Sequence, residues 1–376
     1  LFPYTTLFRS PAVMHSKARL TYNEVWAILS NVKGPEAAKR APLVPHLQDL
    51  YELYQTLLKA RRERGAIDFD TTETYIVCNA QGKIEQILPR TRNDAHRLIE
   101  ECMLTANVCA AEMLEKYKHP ALYRVHAGPT EEKLQALRAF LKTSGLTLGG
   151  GDKPQAADYA ELMEKVAARP DAPMLQTMLL RSMQQAVYSP DNIGHFGLAY
   201  PAYAHFTSPI RRYPDLAVHR VVRRIARGEP LHGKKLKTEL AEQAAESSRL
   251  ERRAMLIERE VVDLYRAMLM RDHIGEEFEA TITAITDHGL FAAIEAPSVD
   301  VFCHISSLPT DQYQTDQFGT RMFGLLGGQS YALFDRLRVR IEDVSIARRR
   351  ISAVPVDFVA AQPVPRRAAG ENTLRR

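Results

Sequence analysis

The strongest constraint on this chain is a change of hydrophobic period at Gly275. Before it, apolar residues recur at helical spacing, as in Leu47, Leu50, Tyr51, Leu53, Tyr54 and Leu57, and again in Ile257, Val261, Leu264 and Met268. After it, apolar and polar residues alternate, as in Phe278-Glu279-Ala280-Thr281-Ile282. That alternation predicts strands over about 278–285, 290–294, 299–305, 335–344 and 349–353, with a long insertion at 309–331. Five short strands joined by turns close most readily into a small β-barrel. The chain is therefore expected to be α+β, with a mixed helical part followed by a five-stranded barrel. Its 376 residues suffice for about two domains.

The N-terminal part reads mainly as helices. Ala12-Val13-Met14 predicts a short strand. Thr21 suits a helix N-cap with Glu24 completing a capping box, and Trp26 shares the apolar face with Val25 and Leu29. A second helix runs from about Leu43 to Arg64 and stops at Gly65. Ile67–Asp70 is strand-like, and Thr74–Cys78 and Ile84–Leu88 form a hairpin about Gln81-Gly82-Lys83. Asn93-Asp94 opens a long helix to about Tyr117; further helices are expected over about 130–143, 156–167, 172–188 and 237–270. Gly149, Gly150 and Gly151 form a turn and lack the spacing of a phosphate-cradling loop.

Composition narrows the function classes. The net charge of +5 is compatible with an acidic polymer partner without demanding one. Arginine is concentrated in Arg211–Arg227 and after Arg348, and its planar fork suits phosphate. Cys78, Cys102, Cys109 and Cys303 lack zinc-ligand spacing and read as core residues of a protein from the reducing cytoplasm. No apolar run is long enough to span a membrane, and no signal-peptide pattern is present. Residues 1–10 lack any period and look like translated adapter sequence, the alternative being a natural strand; about 356–376 reads as a disordered basic tail.

The most unusual stretch is Tyr203-Ala204-His205-Phe206-Thr207-Ser208-Pro209-Ile210-Arg211-Arg212-Tyr213-Pro214-Asp215. Tyr213 precedes a proline and is expected outside the following helix, with Pro214 at its first position. Two arginines beside the positive end of a helix are unfavourable unless an anion lies between them, and phosphate is the anion such a place binds best. The bland alternative is two solvated arginines in a surface turn. Glu101, between apolar positions of its helix, is either a solvated carboxylate or a buried, site-facing acid. In the barrel, Phe278, Phe291 and His304 recur on successive strands, with Arg349 and Arg350 at the last. They are either base-stacking groups flanked by phosphate-tracking cations or, for the phenylalanines, barrel core.

Phe278, Gly289-Leu290-Phe291, Val301-Phe302-Cys303-His304-Ile305-Ser306 and Arg350-Ile351-Ser352 resemble the S1 RNA-binding domain, an OB-fold. Upstream, Asn93-Asp94-Ala95-His96, Ile99-Glu100-Glu101-Cys102-Met103, Gly194-His195-Phe196-Gly197-Leu198 and above all His205–Asp215 resemble the catalytic domain of the ribonuclease II/ribonuclease R family, nearest its bacterial ribonuclease R branch. The resemblance covers about Pro11–Ser352. It implies part of a catalytic domain over 11–272 and an OB-fold over 273–355. It further implies a processive 3′-to-5′ exoribonuclease releasing nucleoside 5′-monophosphates with magnesium, with single-stranded RNA as partner, no membrane, and a monomer. By the resemblance, Arg211 would contact the phosphates at the scissile end, with Glu101 near it and Phe69 stacked on the terminal bases. Arg212 and Tyr213 would also meet RNA, while Phe278, Phe291, His304, Arg349 and Arg350 would guide the strand.

The sequence departs from the family at its metal site. The family's D-x-x-x-x-x-D-x-D-D cluster is not found here, and Asp68 with Asp70 is the nearest local substitute. The expectation is a fragment without metal-binding aspartates that binds RNA and cleaves it slowly or not at all. The alternative is a natural, non-catalytic single-stranded RNA-binding protein.

Overall fold

The computed structural model describes residues 13–68, 74–89, 92–229, 235–309 and 311–359. It forms two compact units, Leu1–Thr72 with Thr91–Lys165 and Met178–Ile257, and Glu73–Arg90 with Val166–Thr177 and Glu258–Arg376. The expected leader, Phe69, Asp70 and the tail from residue 360 lie outside the described residues.

The helices are α1 (Tyr22–Ser30), α2 (Pro35–Lys39), α3 (Val44–Arg64), α4 (Asp94–Lys116), α5 (Glu131–Thr143), α6 (Ala156–Val166), α7 (Ala172–Ser182), α8 (Tyr213–Ala226) and α9 (Lys235–Met270). Local chemistry sets several ends. Thr21 and Glu24 form the reciprocal capping box, and Gly65 takes φ 74° where α3 stops. Asn93 caps α4 by accepting from the Ala95 N–H at 3.1 Å. Several expectations fail. Ile67 and Asp68 are in no strand, the Ile67 N–H being taken by the Gly197 carbonyl. Cys78 is exposed rather than in the core. The last barrel strand runs to Val359, past the expected tail boundary at 356, because Arg336–Arg338 pairs with it. Val13 and Met14 are fully exposed and not in a strand, because no partner strand is supplied among the described residues. α7 stops at Ser182, since Val187–Ser189 pairs antiparallel with Tyr123–Val125 instead, and that tertiary pairing outweighs helical propensity. Tyr213, not Pro214, is the first helical residue, a shift of one position.

In the first unit the core joins Ala110, Ala111, Met113 and Leu114 of α4 to Tyr123 and Val125, to Ala202 and Ala204, and to Val218 and Val222 of α8. Ala202 and Ala204 of the loop thus pack in one core with α4 and α8. In the second unit Glu277–Thr286, Gly289–Ile294, Val299–His304, Arg336–Ser345 and Arg350–Val359 close the barrel. The barrel core is built by parity: Ala280 and Ile282, Leu290 and Ala292, Val301 and Cys303, Ile351 and Ala353 all face inward. The insertion carries a small three-stranded sheet, Tyr313–Thr315, Arg321–Gly324 and Ser330–Ala332.

Candidate nucleic-acid interface

The 203–212 loop is pinned at both ends by buried polar side chains. Asn107 of α4, 3% exposed, donates from Nδ2 to the Tyr203 hydroxyl at 2.8 Å. Its Oδ1 accepts the Phe206 and Thr207 N–H groups at 2.9 and 3.2 Å. Asp215, fully buried in the first turn of α8, accepts from the Ser208 N–H and from Arg212 Nη2, both at 2.8 Å. His219 stacks on Phe206 with ring centroids 3.9 Å apart and bonds the Phe206 carbonyl at 2.8 Å.

Arginine 211 is the exception in this loop. Its side chain is exposed and has no ion-pair partner among the described residues. The two arginines therefore differ. Arg212 has its anion in Asp215, a structural pairing, whereas Arg211 at the positive end of α8 has none. Tyr213 is about half exposed beside it. Asn107 was missed in the sequence; the available signal was an amide on the buried face of α4, which must find partners.

Behind the loop lies a cluster of neutral rings. The Tyr188 hydroxyl meets His205 Nδ1 at 2.8 Å. Burial, then the nearby Arg212 and Arg124, pushes His205 down to about 2; burial, then His126, pushes His195 to about 3. His126 accepts at Nδ1 from the Gly197 N–H and bonds the Gln184 carbonyl through Nε2, and burial lowers its pKa as well. These imidazoles are neutral spacers at physiological pH and hold the backbone around a cleft of about 400 Å³ lined by Arg64, His126, His195, Phe196 and Tyr200. The Arg64 guanidinium lies 3.9 Å over the Tyr200 ring.

Glutamate 101 is the buried acid, 5% exposed. It accepts from Arg61 Nη1 at 2.8 Å, and the same guanidinium lies 3.4 Å from Asp68. Both carboxylates thus converge on a cation supplied by α3. Among the described residues no group of three or more His, Cys, Asp or Glu side chains could hold a metal ion. The described donor set does not fit the magnesium site that the family implies.

On the barrel of the second unit an outward patch forms by the same parity that builds the core. Phe291 and Phe302 are direct cross-strand partners with ring centroids 4.8 Å apart. His304 lies 6.1 Å from the Phe302 ring, and the Arg350 guanidinium 5.6 Å over it. Phe302 is thus the centre of the patch, and it was not among the expected residues although it shares the parity of His304. Phe278 is not brought to this patch. It lies on the inward parity with Ala280 and Ile282 and packs on the barrel core, edge-on to His273 at 6.0 Å. Arg349 takes φ 52° in the turn before the last strand and is 3.7 Å from Glu260.

The first unit thus presents an anchored loop with an exposed arginine, and the barrel a patch of tilted aromatic rings with a guanidinium over one of them. Residues 9–228 match the RNB domain family and residues 271–353 the S1 RNA binding domain. The chain belongs to the RNB family. It is similar to ribonuclease R of Escherichia coli strain K12 (46% identical, 94% of this chain, 44% of the relative). It is likewise similar to ribonuclease R of Vibrio cholerae (47% identical, 90% of this chain, 42% of the relative). Among solved structures it resembles Mycoplasma genitalium RNase R in complex with ribose methylated single-stranded RNA. That match has a TM-score of 0.79 at 26% identity and covers 89% of this chain and 53% of the other. The chain thus spans less than half the length of the curated relatives. Among the described residues no helix is long and apolar enough to cross a membrane.

Proposed function

We propose that this chain is the RNA-holding part of a 3′-to-5′ exoribonuclease of the ribonuclease R type. The enzyme hydrolyses single-stranded RNA to nucleoside 5′-monophosphates with magnesium, and works as a monomer in the cytoplasm. The observation that carries the reading is Arg211, exposed and unpaired at the start of α8 on a loop that Asn107 and Asp215 hold fixed. A guanidinium carried on a held backbone offers parallel donors to phosphate oxygens without first breaking an internal ion pair. Arg212 supports this indirectly, through Asp215, and Tyr213 offers a ring beside the phosphate. Glu101 acts near the scissile end by holding Arg61 oriented. Phe69 is assigned to the terminal bases on family resemblance alone. On the barrel, Phe291, Phe302 and His304 stack bases while Arg350 and Arg349 meet phosphates. Phe278 stabilises the barrel wall beneath them.

By itself the chain is expected to bind RNA and hydrolyse it slowly or not at all, because Arg61 already engages Glu101 and Asp68, and no group of three or more His, Cys, Asp or Glu side chains that could hold a metal ion is found among the described residues. The same ion triad favours, as a second reading, a natural RNA-binding protein without catalysis. The test is to incubate the purified chain with a labelled oligoribonucleotide and magnesium, with Arg211→Ala alongside. Binding without monophosphate release is the expected result. Release above the level of the variant would refute the slow-hydrolysis reading, and failure to bind RNA would refute the function as a whole.

A further inference from the structure

We propose that the outer face of α8 is a second RNA site, a surface that tracks the phosphate backbone of the strand leading away from Arg211. The inference rests on the proposed function for the identity of the polymer. Its own evidence is the geometry of the helix. Tyr213, Leu216, Arg220, Arg223 and Arg227 are all exposed. Their spacing of three, four, three and four residues places them on one narrow stripe, opposite the buried Asp215, Val218 and Val222. From Tyr213 to Arg227 the stripe is about 21 Å long. It begins beside the unpaired Arg211 and continues with arginines about 5–6 Å apart.

A solvated helix face ordinarily mixes charges of both signs. This one carries no carboxylate. Arg220 and Arg223 have no ion-pair partner among the described residues, and only at the far end does Glu229 approach, 3.6 Å from Arg227 and 3.9 Å from Arg224. Favourable contact with the helix dipole accounts for cations in the last turn but not for Arg220 in the middle. An acidic peptide would satisfy the arginines, yet it leaves the exposed Tyr213 ring and Leu216 at the phosphate-anchoring end without a role. A strand of RNA uses both, with bases against the ring and phosphates along the guanidinium groups.

The experiment uses the whole chain and labelled oligoribonucleotides of about four and about sixteen nucleotides, read by anisotropy across a salt series. The triple variant R220Q/R223Q/R227Q should bind the long strand about tenfold more weakly at low salt. Its log–log salt slope should be shallower by roughly 2, three phosphates at about 0.7 each. The short strand should bind as before. The matching R220K/R223K/R227K variant keeps the charges and should retain the slope. An unchanged slope and affinity in the glutamine variant, while the parent binds RNA, would overturn the proposal. So would an equal loss for both strand lengths. An equal loss in competition with poly-glutamate would also overturn it, marking the stripe as a surface for acidic protein. A parent chain that binds neither strand would instead remove the proposed function on which the inference stands.

Discussion

Replacing Asp215 by asparagine isolates the interaction that holds the 203–212 loop. Asp215 is fully buried and accepts two hydrogen bonds at 2.8 Å, one from the Ser208 backbone and one from Arg212. Asparagine keeps the volume and one acceptor but removes the charge. Arg212, whose side chain is only 21% exposed, is then left without its counter-ion, and its Nε already lacks a partner. Leaving one member of a buried pair uncompensated costs about 3–5 kcal/mol. Removing both should cost less, because no isolated charge remains. The expected cycle is therefore non-additive: Asp215→Asn loses about 3 kcal/mol or more, while the double variant with Arg212→Gln recovers about 1–2 kcal/mol of that loss. Urea unfolding followed by Trp26 fluorescence reads this directly, since the only tryptophan lies on α1 of the same unit. A loss under about 1 kcal/mol, or a strictly additive cycle, would show that the pair does not fix the loop.

Arg211→Ala should weaken RNA binding several-fold and make the salt slope shallower by about 0.7, with an unchanged melting temperature, because the exposed side chain supports nothing else; a lowered melting temperature would contradict that assignment. Phe302→Ala should cost about 1–3 kcal/mol of RNA affinity. Phe278→Ala should instead destabilise the barrel by up to about 3 kcal/mol and leave affinity unchanged, so a reversal of the two outcomes would refute the parity argument. Stability of the first unit should fall as pH drops. His195 and His205 resist protonation in the fold until about 3 and 2, whereas the unfolded chain takes up those protons near 6.5. The stabilisation is therefore complete above pH 6.5 and is lost as pH falls toward 3, by at most about 1.4 kcal/mol per histidine per pH unit. Urea midpoints that stay flat between pH 6.5 and 4.5 would contradict the burial of these rings.

Much of this molecule was legible before any coordinates. The switch of period at Gly275 announced the barrel, because alternation is the signature of a sheet with one buried face. The Thr21–Glu24 capping box and the glycine stop at Gly65 marked helix ends, since those signals act within one turn of chain. The crowded run His205–Asp215 marked the loop that Asn107 and Asp215 hold. Strand parity also separates Phe278 from Phe291 and places Phe302 with Phe291 and His304, since it is written in the alternation of each strand. What sequence could not supply was pairing across distance. The strand Val187–Ser189 exists only because Tyr123–Val125 receives it. Asn107 serves a loop about a hundred residues away. Arg61 is shared between Glu101 and Asp68. Above all, Arg211 and Arg212 are chemically identical neighbours in the chain. Only the fold, by burying Asp215 where it reaches one of them, left the first exposed and made the second part of the loop's support. Local signals depend on neighbours along the chain and are written there; the division of charge between structure and function depends on which groups become buried together, and that is decided in three dimensions.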